Sequence, residues 1–414
     1  MDVRRVEAAG FGPRRDEERS PRKLKANREG SPLPMNALSW VSTVLGTGLL
    51  GLVVVDVFRT ILHSRGRSGP VTEALTRAFW RLVRSAAFGR SRVVRHRLLS
   101  YVGPLLLPGT VATLVTLLIL GYSLLYWPHL PTGFNIQQKA QSARSIEALY
   151  FSGITFTTLG YGDIAPRSAP MRLLALTEAL TGFGFISLAV AYLVSLTSAL
   201  ERKRAAALSY YHQARQGADV AGLLIHYFVA GRFIGLESIF ANAARDLQGL
   251  LESHIEHPLI HYFHPIHVHK SLPRMLFLVL EACAVTRACL DTQAYEALCR
   301  HPELRTLEET GRHVLSELAA AVGVGKGAAI ADDEPGREGV PTIEEPERWR
   351  QRYEGTLRRL RTAGVRLPAD LEAGWREYRH RRHGWELELA RFALYLGYDW
   401  DEVTGDGDLR LAAE

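Results

Sequence analysis

Residues 101–127, from Tyr101 through Leu114 and Leu118 to Trp127, carry no charged side chain. About 20 apolar residues suffice to cross the hydrocarbon of a bilayer as a helix. Inside lipid every backbone N–H and C=O must be satisfied within the chain, which leaves helices or closed barrels as solutions. Two further runs have the same character. Ala37–Val55 is uncharged, with Asp56 and Arg59 just beyond it, and Met171–Leu200 is apolar apart from Arg172 and Glu178. No small-residue cleavage site follows the first run at a suitable distance, so it reads as a retained helix rather than a leader. These runs predict an all-α membrane protein, with Asp56 and Arg59 one turn apart and pairing.

Between the second and third runs lie a polar stretch, Pro128–Ser142, and a short helical pattern, Ala143–Phe156. The chain then spells Thr155-Phe156-Thr157-Thr158-Leu159-Gly160-Tyr161-Gly162-Asp163. A potassium ion that sheds its water needs rings of oxygen in return, and backbone carbonyls can supply them. Aiming successive carbonyls at one axis requires φ > 0, which glycine adopts at little cost, so Gly160 and Gly162 are the expected left-handed positions. The motif T-x-T-T-x-G-Y-G-D, with an apolar span on each side and a short helix running into it, resembles the selectivity filter of the tetrameric potassium-channel family.

The resemblance covers residues 101–204 and implies an outer helix, pore helix, filter and inner helix. By it, the carbonyls of Thr158, Leu159, Gly160 and Tyr161 line the ion sites, with Gly162 completing the binding segment. The Thr158 hydroxyl joins the innermost ring. Tyr161 points away from the axis and braces the loop on the pore helix. Thr157, Asp163 and Glu178 support the filter. Gly182 and Gly184 fall where such channels carry a hinge, although glycine also serves close helix packing. Ile186, Val190 and Val194 would line the wall toward the inner mouth. Four copies are required for a ring, so the implied assembly is a homotetramer that conducts K+ passively, without cofactor or covalent chemistry. Leu159 replaces the commoner valine, where only the carbonyl faces ions. Ile154 stands where some channels place a glutamate that bridges to the filter aspartate, so Asp163 needs another partner.

Arginines set the orientation. Arg65, Arg67, Arg77, Arg81, Arg84, Arg90, Arg92, Arg95 and Arg97 crowd residues 64–100 against Glu73 alone, and such clusters stay cytoplasmic. The cluster Glu201-Arg202-Lys203-Arg204 ends the third run on the same side. The first span then starts outside, which sits poorly with a basic tail over 1–36 unless Met35 is the start. A second resolution, four spans, would place residues 71–88 across the membrane. Arg77, Arg81 and Arg84 oppose this at about 2.5–3.5 kcal/mol each. The face Val71, Leu75, Ala78, Phe79, Leu82, Val83 and Ala86 instead fits a helix lying on the inner leaflet. A voltage sensor would need more spans than the chain provides. The net charge of +7 therefore points to anionic lipid headgroups rather than nucleic acid, in the plasma membrane.

After residue 204 the chain holds no further apolar span and no G-x-G-x-x-G after a strand. Helical stripes dominate instead, such as Leu236, Ile239, Phe240, Ala243, Leu247 and Leu250. An all-helical cytoplasmic domain in two parts is expected, 205–322 and 346–414, separated by a Gly- and Pro-rich linker, 323–345. Cys283, Cys289 and Cys299 suggest reduced thiols. His254, His257, His261, His264, His267 and His269 are the densest chemistry in this half. Packing, proton sensing and metal binding all remain open for them, since Pro258 and Pro265 interrupt helical spacing. A nonconducting membrane-anchored sensor or scaffold acting through this segment is the alternative to a channel.

Overall fold

A computed structural model describes residues 36–62, 68–130, 132–136, 143–214, 219–324 and 346–405. The choice between Met1 and Met35, and nearly all of 323–345, fall outside them. The protein is mostly helical. Among the described residues three helices are long and apolar enough to cross a membrane, judged by length and composition. They are Ala37–Leu62, Arg92–His129 and Ala169–Gln213.

The first span is α1 (Ala37–Val57), closed by a π-turn at Phe58–Leu62. It packs antiparallel on α4 (Val102–Tyr126) through small residues. A Cβ on Gly46 would meet the Gly121 carbonyl, and Ser42 Oγ donates to the Leu124 carbonyl at 2.6 Å. Small residues let helix backbones approach in lipid, where apolar burial alone gives helices no reason to associate. The start of α1 thus lies at the same end of the bundle as the end of α4.

Asp56 does not pair with Arg59, correcting the expectation. It is fully buried and accepts from the backbone amides of Val71 and Thr72 (2.7 and 3.1 Å) and from the Thr72 hydroxyl (2.5 Å). Those amides open α2 (Pro70–Phe88), and the first amides of any helix lack intrahelical partners. A carboxylate satisfies them better than it satisfies a solvated guanidinium one turn away. Helix α2 buries Thr72, Thr76, Trp80, Arg84 and Ala87 against the protein and leaves Leu82 outward. Next, α3 (Arg92–Ser100) passes into α4 with only Tyr101 between them.

Helix α5 (Arg144–Phe156) leads into the T-x-T-T-x-G-Y-G-D loop, and α6 (Ala169–Gln213) leads away. Two short strands bracket this loop, β1 (Phe134–Ile136) and β2 (Ile164–Pro166), antiparallel with Asn135 opposite Ala165. One core joins all four helices through Val53, Leu114, Leu118, Phe156 and Phe185.

Among the described residues after α6, the regular structure is helical apart from a tight hairpin of β3 (Phe228–Val229) and β4 (Arg232–Phe233). Its helices are α7 (Val220–His226), α8 (Leu236–Glu256), α9 (Leu272–Ala288), α10 (Glu296–Cys299) and α11 (Pro302–Ala321). After residue 345 follow α12 (Pro346–Thr362), α13 (Leu371–His383), α14 (Glu386–Tyr395) and α15 (Trp400–Thr404). The expected stripe on α8 is buried, with Ile239 at its margin. The three cysteines are free and buried. The two expected parts, however, do not pack separately. Leu247, Phe277 and Leu315 share one core with Tyr353, Tyr378 and Phe392. Helix α9, buried along almost its whole length, is the axle of that core.

Candidate functional site: the loop at the end of α5

The loop conformation is the informative geometry. Thr158, Gly160 and Gly162 have φ of 61°, 52° and 80°, while Leu159 and Tyr161 between them are not left-handed. Alternating handedness collects successive N–H groups on one side of a chain, which leaves the carbonyls for the other. The N–H groups of Leu159 and Gly160 do converge, both donating to the Ile154 carbonyl at 2.9 and 3.2 Å. Both glycines stand where the motif places them. Thr158 was not foreseen as left-handed, and a β-branched residue there is a genuine outlier. Such strain persists only where surrounding structure over-determines it.

Around the loop, the partner that Asp163 requires is Tyr150, one face of α5 away, whose hydroxyl donates to Oδ2 at 2.9 Å. Thr157 closes α5, its hydroxyl donating to the Gly153 carbonyl at 2.7 Å. Glu178 is fully buried and accepts from the Tyr126 hydroxyl (2.7 Å), while Ser152 Oγ lies 2.5 Å from its other oxygen. It therefore bolts α6 to α4 and α5 at one point. Tyr122 adds a second bolt, with its hydroxyl 3.0 Å from Thr181 Oγ1. Tyr126, Tyr150 and Ser152 escaped the sequence reading because a tyrosine or serine in an apolar run looks like an ordinary membrane residue.

Within one chain Tyr161 is 70 % exposed. Helix α6 continues unbroken through Gly182 and Gly184. A Cβ on Gly182 would collide with the Phe156 carbonyl, whereas Gly184 faces open space. Gly182 thus permits the close approach of α5 to α6. Ile186, Val190 and Val194 lie on an exposed face of α6, together with Phe183 at 70 %.

The six histidines do not form one site. His254 pairs with His261 (ring centroids 4.8 Å), and its Nδ1 donates to the Leu250 carbonyl at 2.7 Å. Burial, and then Lys203, hold His261 down at about 3. Burial, with His261 next, likewise pushes His254 well below its usual range. His257 Nε2 meets Ser195 Oγ of α6 at 2.9 Å. His264 lies 2.8 Å from His96 of α3, and His267 stacks on His269, which stacks on Tyr211. Among the described residues no three His, Cys, Asp or Glu side chains gather as a metal site would require.

A family model described as an ion channel (Ion_trans_2) matches residues 111–199, from within α4 through α5 and the loop into α6. The uncharacterized membrane protein YdjJ of Bacillus subtilis is 29 % identical over 222 residues, covering 53 % of this chain and 62 % of that protein. Two-pore potassium channel 2 of Arabidopsis thaliana is 38 % identical over 85 residues, covering 20 % and 18 %. Two pore potassium channel b of Oryza sativa subsp. japonica is 36 % identical over 91 residues, covering 21 % and 26 %. The chain thus spans less than two thirds of each of these relatives. No solved structure matches. The helix–loop–helix unit at residues 111–199 is therefore similar to an ion-channel domain, and a stretch of this membrane protein is similar to two-pore potassium channels.

Proposed function

We propose that the chain is one subunit of a homotetrameric, potassium-selective channel whose filter is Thr158–Gly162. The observation that carries this reading is the alternation of left-handed backbone at Thr158, Gly160 and Gly162 at the end of a short helix framed by two candidate spans. Four such loops around an axis supply stacked rings of carbonyls, a substitute for the hydration shell of K+. The C-terminal end of α5 carries partial negative charge toward the same axis and favours a cation there. A tetramer also covers what one chain leaves bare, namely Tyr161 and the exposed apolar face of α6. Gating belongs to α6, where Gly184 offers the freer bending point and Gly182 the packing contact. The arginine clusters support a reading in which the helical C-terminal region is cytoplasmic and the start of α1 lies outside, in the plasma membrane beside anionic headgroups.

Purified protein in potassium-loaded liposomes should take up rubidium, with block by barium. Gly160→Ala forces a side chain into the left-handed region, at about 1 kcal/mol or more per subunit and hence fourfold per pore. Its uptake is expected to vanish. Unchanged uptake in that variant sinks the channel reading. Silence of the native protein at every pH and metal condition would favour the nonconducting sensor.

A further inference from the structure

The C-terminal region holds the membrane unit at several places. It takes the end of α6 into its own core through Ala206, Ala207 and Tyr210. It also grips the end of α2 and α3, the helix that runs into the outer helix α4. There Trp80 and Tyr395 meet (ring centroids 6.0 Å), Arg92 pairs with Asp399 and Asp401 (2.7 and 2.9 Å), and Arg95 pairs with Asp399 at 2.7 Å.

At the centre of this grip a buried chain of hydrogen bonds runs through two imidazoles. His264 bonds the Leu396 carbonyl on one side and faces His96 Nδ1 through its Nε2 at 2.8 Å. His96 Nε2 then meets Glu402 Oε1 at 3.0 Å. The ring of Tyr398 stacks on both, at 4.4 Å from His264 and 5.2 Å from His96.

Counting protons along this chain gives its charge. A carbonyl and a carboxylate only accept, so His264 Nδ1 and His96 Nε2 must each carry a hydrogen. The contact between the rings needs a third. Two neutral imidazoles bring two, so the complete chain contains one extra proton. Without it, one of the three contacts is broken, and two bare nitrogen lone pairs at 2.8 Å repel. We propose that a single proton shared by His96 and His264 locks the C-terminal region under the outer helix, and that losing it on the alkaline side releases the lock.

The surroundings fit one proton and not two. Burial, and then the neighbouring His96, push His264 well below its ordinary range, so it refuses a proton of its own. Lys203 of α6 and Arg95 of α3 add to that refusal. Burial opposes the charge on Glu402, yet bonds from His96 and the Asp399 amide hold its carboxyl below the usual range, with Arg95 helping. Glu402 thus stays the anion that the shared proton faces. Arg274 of α9 donates to the Glu402 backbone carbonyl at 2.6 Å, and Arg84 of α2 donates to the Leu394 carbonyl at 3.5 Å. The sign follows. The lock is whole while the pair keeps the shared proton and opens as rising pH removes it.

The proposal deepens the channel reading, since a lock on α3 would set the tension between outer and inner helices, but its test does not depend on conduction. Hydrogen exchange on the full-length protein in nanodiscs, corrected for intrinsic rates, reads the amides of residues 399–405. Between about pH 6 and about pH 8.5 their exchange should rise about tenfold or more. His264→Asn supplies a neutral N–H to His96 Nδ1 and should flatten the profile. Glu402→Gln removes the facing charge and should move the midpoint to lower pH, a second readout if the first variant folds poorly. Protection that is flat in the native protein, or that rises with pH, overturns the proposal. Rubidium uptake that follows the exchange profile extends the lock to gating; a pH-dependent lock in a protein that takes up no rubidium would overturn the channel reading alone.

Discussion

Thr158 shows how much work a single backbone angle performs. A β-branched residue in the left-handed region costs about 1–3 kcal/mol and must be held there. The holding groups are the Ile154 carbonyl, which gathers two loop amides, and the Tyr150–Asp163 bond beyond the glycines. Tyr150→Phe removes the bond to Asp163, so the time over which rubidium uptake stays linear should shorten. Glu178→Ala leaves the Tyr126 hydroxyl buried without its carboxylate and should lower the thermal midpoint of the membrane unit, by about 1–3 kcal/mol of stability. The glycine positions of the loop were legible in the sequence because φ > 0 restricts residue choice. The partner of Asp163 was not, because nothing local to a tyrosine says which carboxylate its hydroxyl will reach.

Among the elements, the two glycines of α6 differ in what surrounds them. Gly182→Ala drives a methyl into the Phe156 carbonyl and should destabilise the contact between α5 and α6 by about 1–3 kcal/mol. Gly184→Ala meets open space and should stiffen the helix by about 1 kcal/mol, lowering uptake without lowering the thermal midpoint. Asp56→Ala should cost about 1 kcal/mol or more and speed hydrogen exchange at the first amides of α2, leaving α1 intact. The spans could be read from hydropathy because lipid imposes one solution on an apolar run. The capping role of Asp56 was hidden, since its partners lie past a loop and the nearest charge in sequence, Arg59, offered a simpler pairing. The strands β1 and β2 were hidden too, being three residues each and paired across the whole α5–loop segment.

For the whole molecule, helicity after residue 204 was legible while its packing was not. A Gly- and Pro-rich stretch looked like a boundary, yet Tyr353 and Tyr378 sit in the core built by α8, α9 and α11. The reason is chemical as well as apolar. Glu281 of α9 accepts from Tyr378 and Arg352 (2.5 and 3.1 Å), and Arg382 bridges onward to Glu386 at 2.7 Å. Breaking such a buried network should cost about 3–5 kcal/mol, so Glu281→Ala is expected to unfold the C-terminal region well before the membrane unit in a thermal scan. A protease site inserted between residues 325 and 345 and then cut should leave two fragments that elute together. The grip on α3 joins residues 309 positions apart, Arg92 and Asp401. Its timing during synthesis is therefore fixed by chain order. The membrane helices emerge and insert long before α15 leaves the ribosome, so each nascent subunit passes through a stage with Arg92, Arg95 and His96 uncovered. The latch closes after the membrane helices are in place, and any product that ends short of Asp399 reaches the bilayer with α3 unlatched.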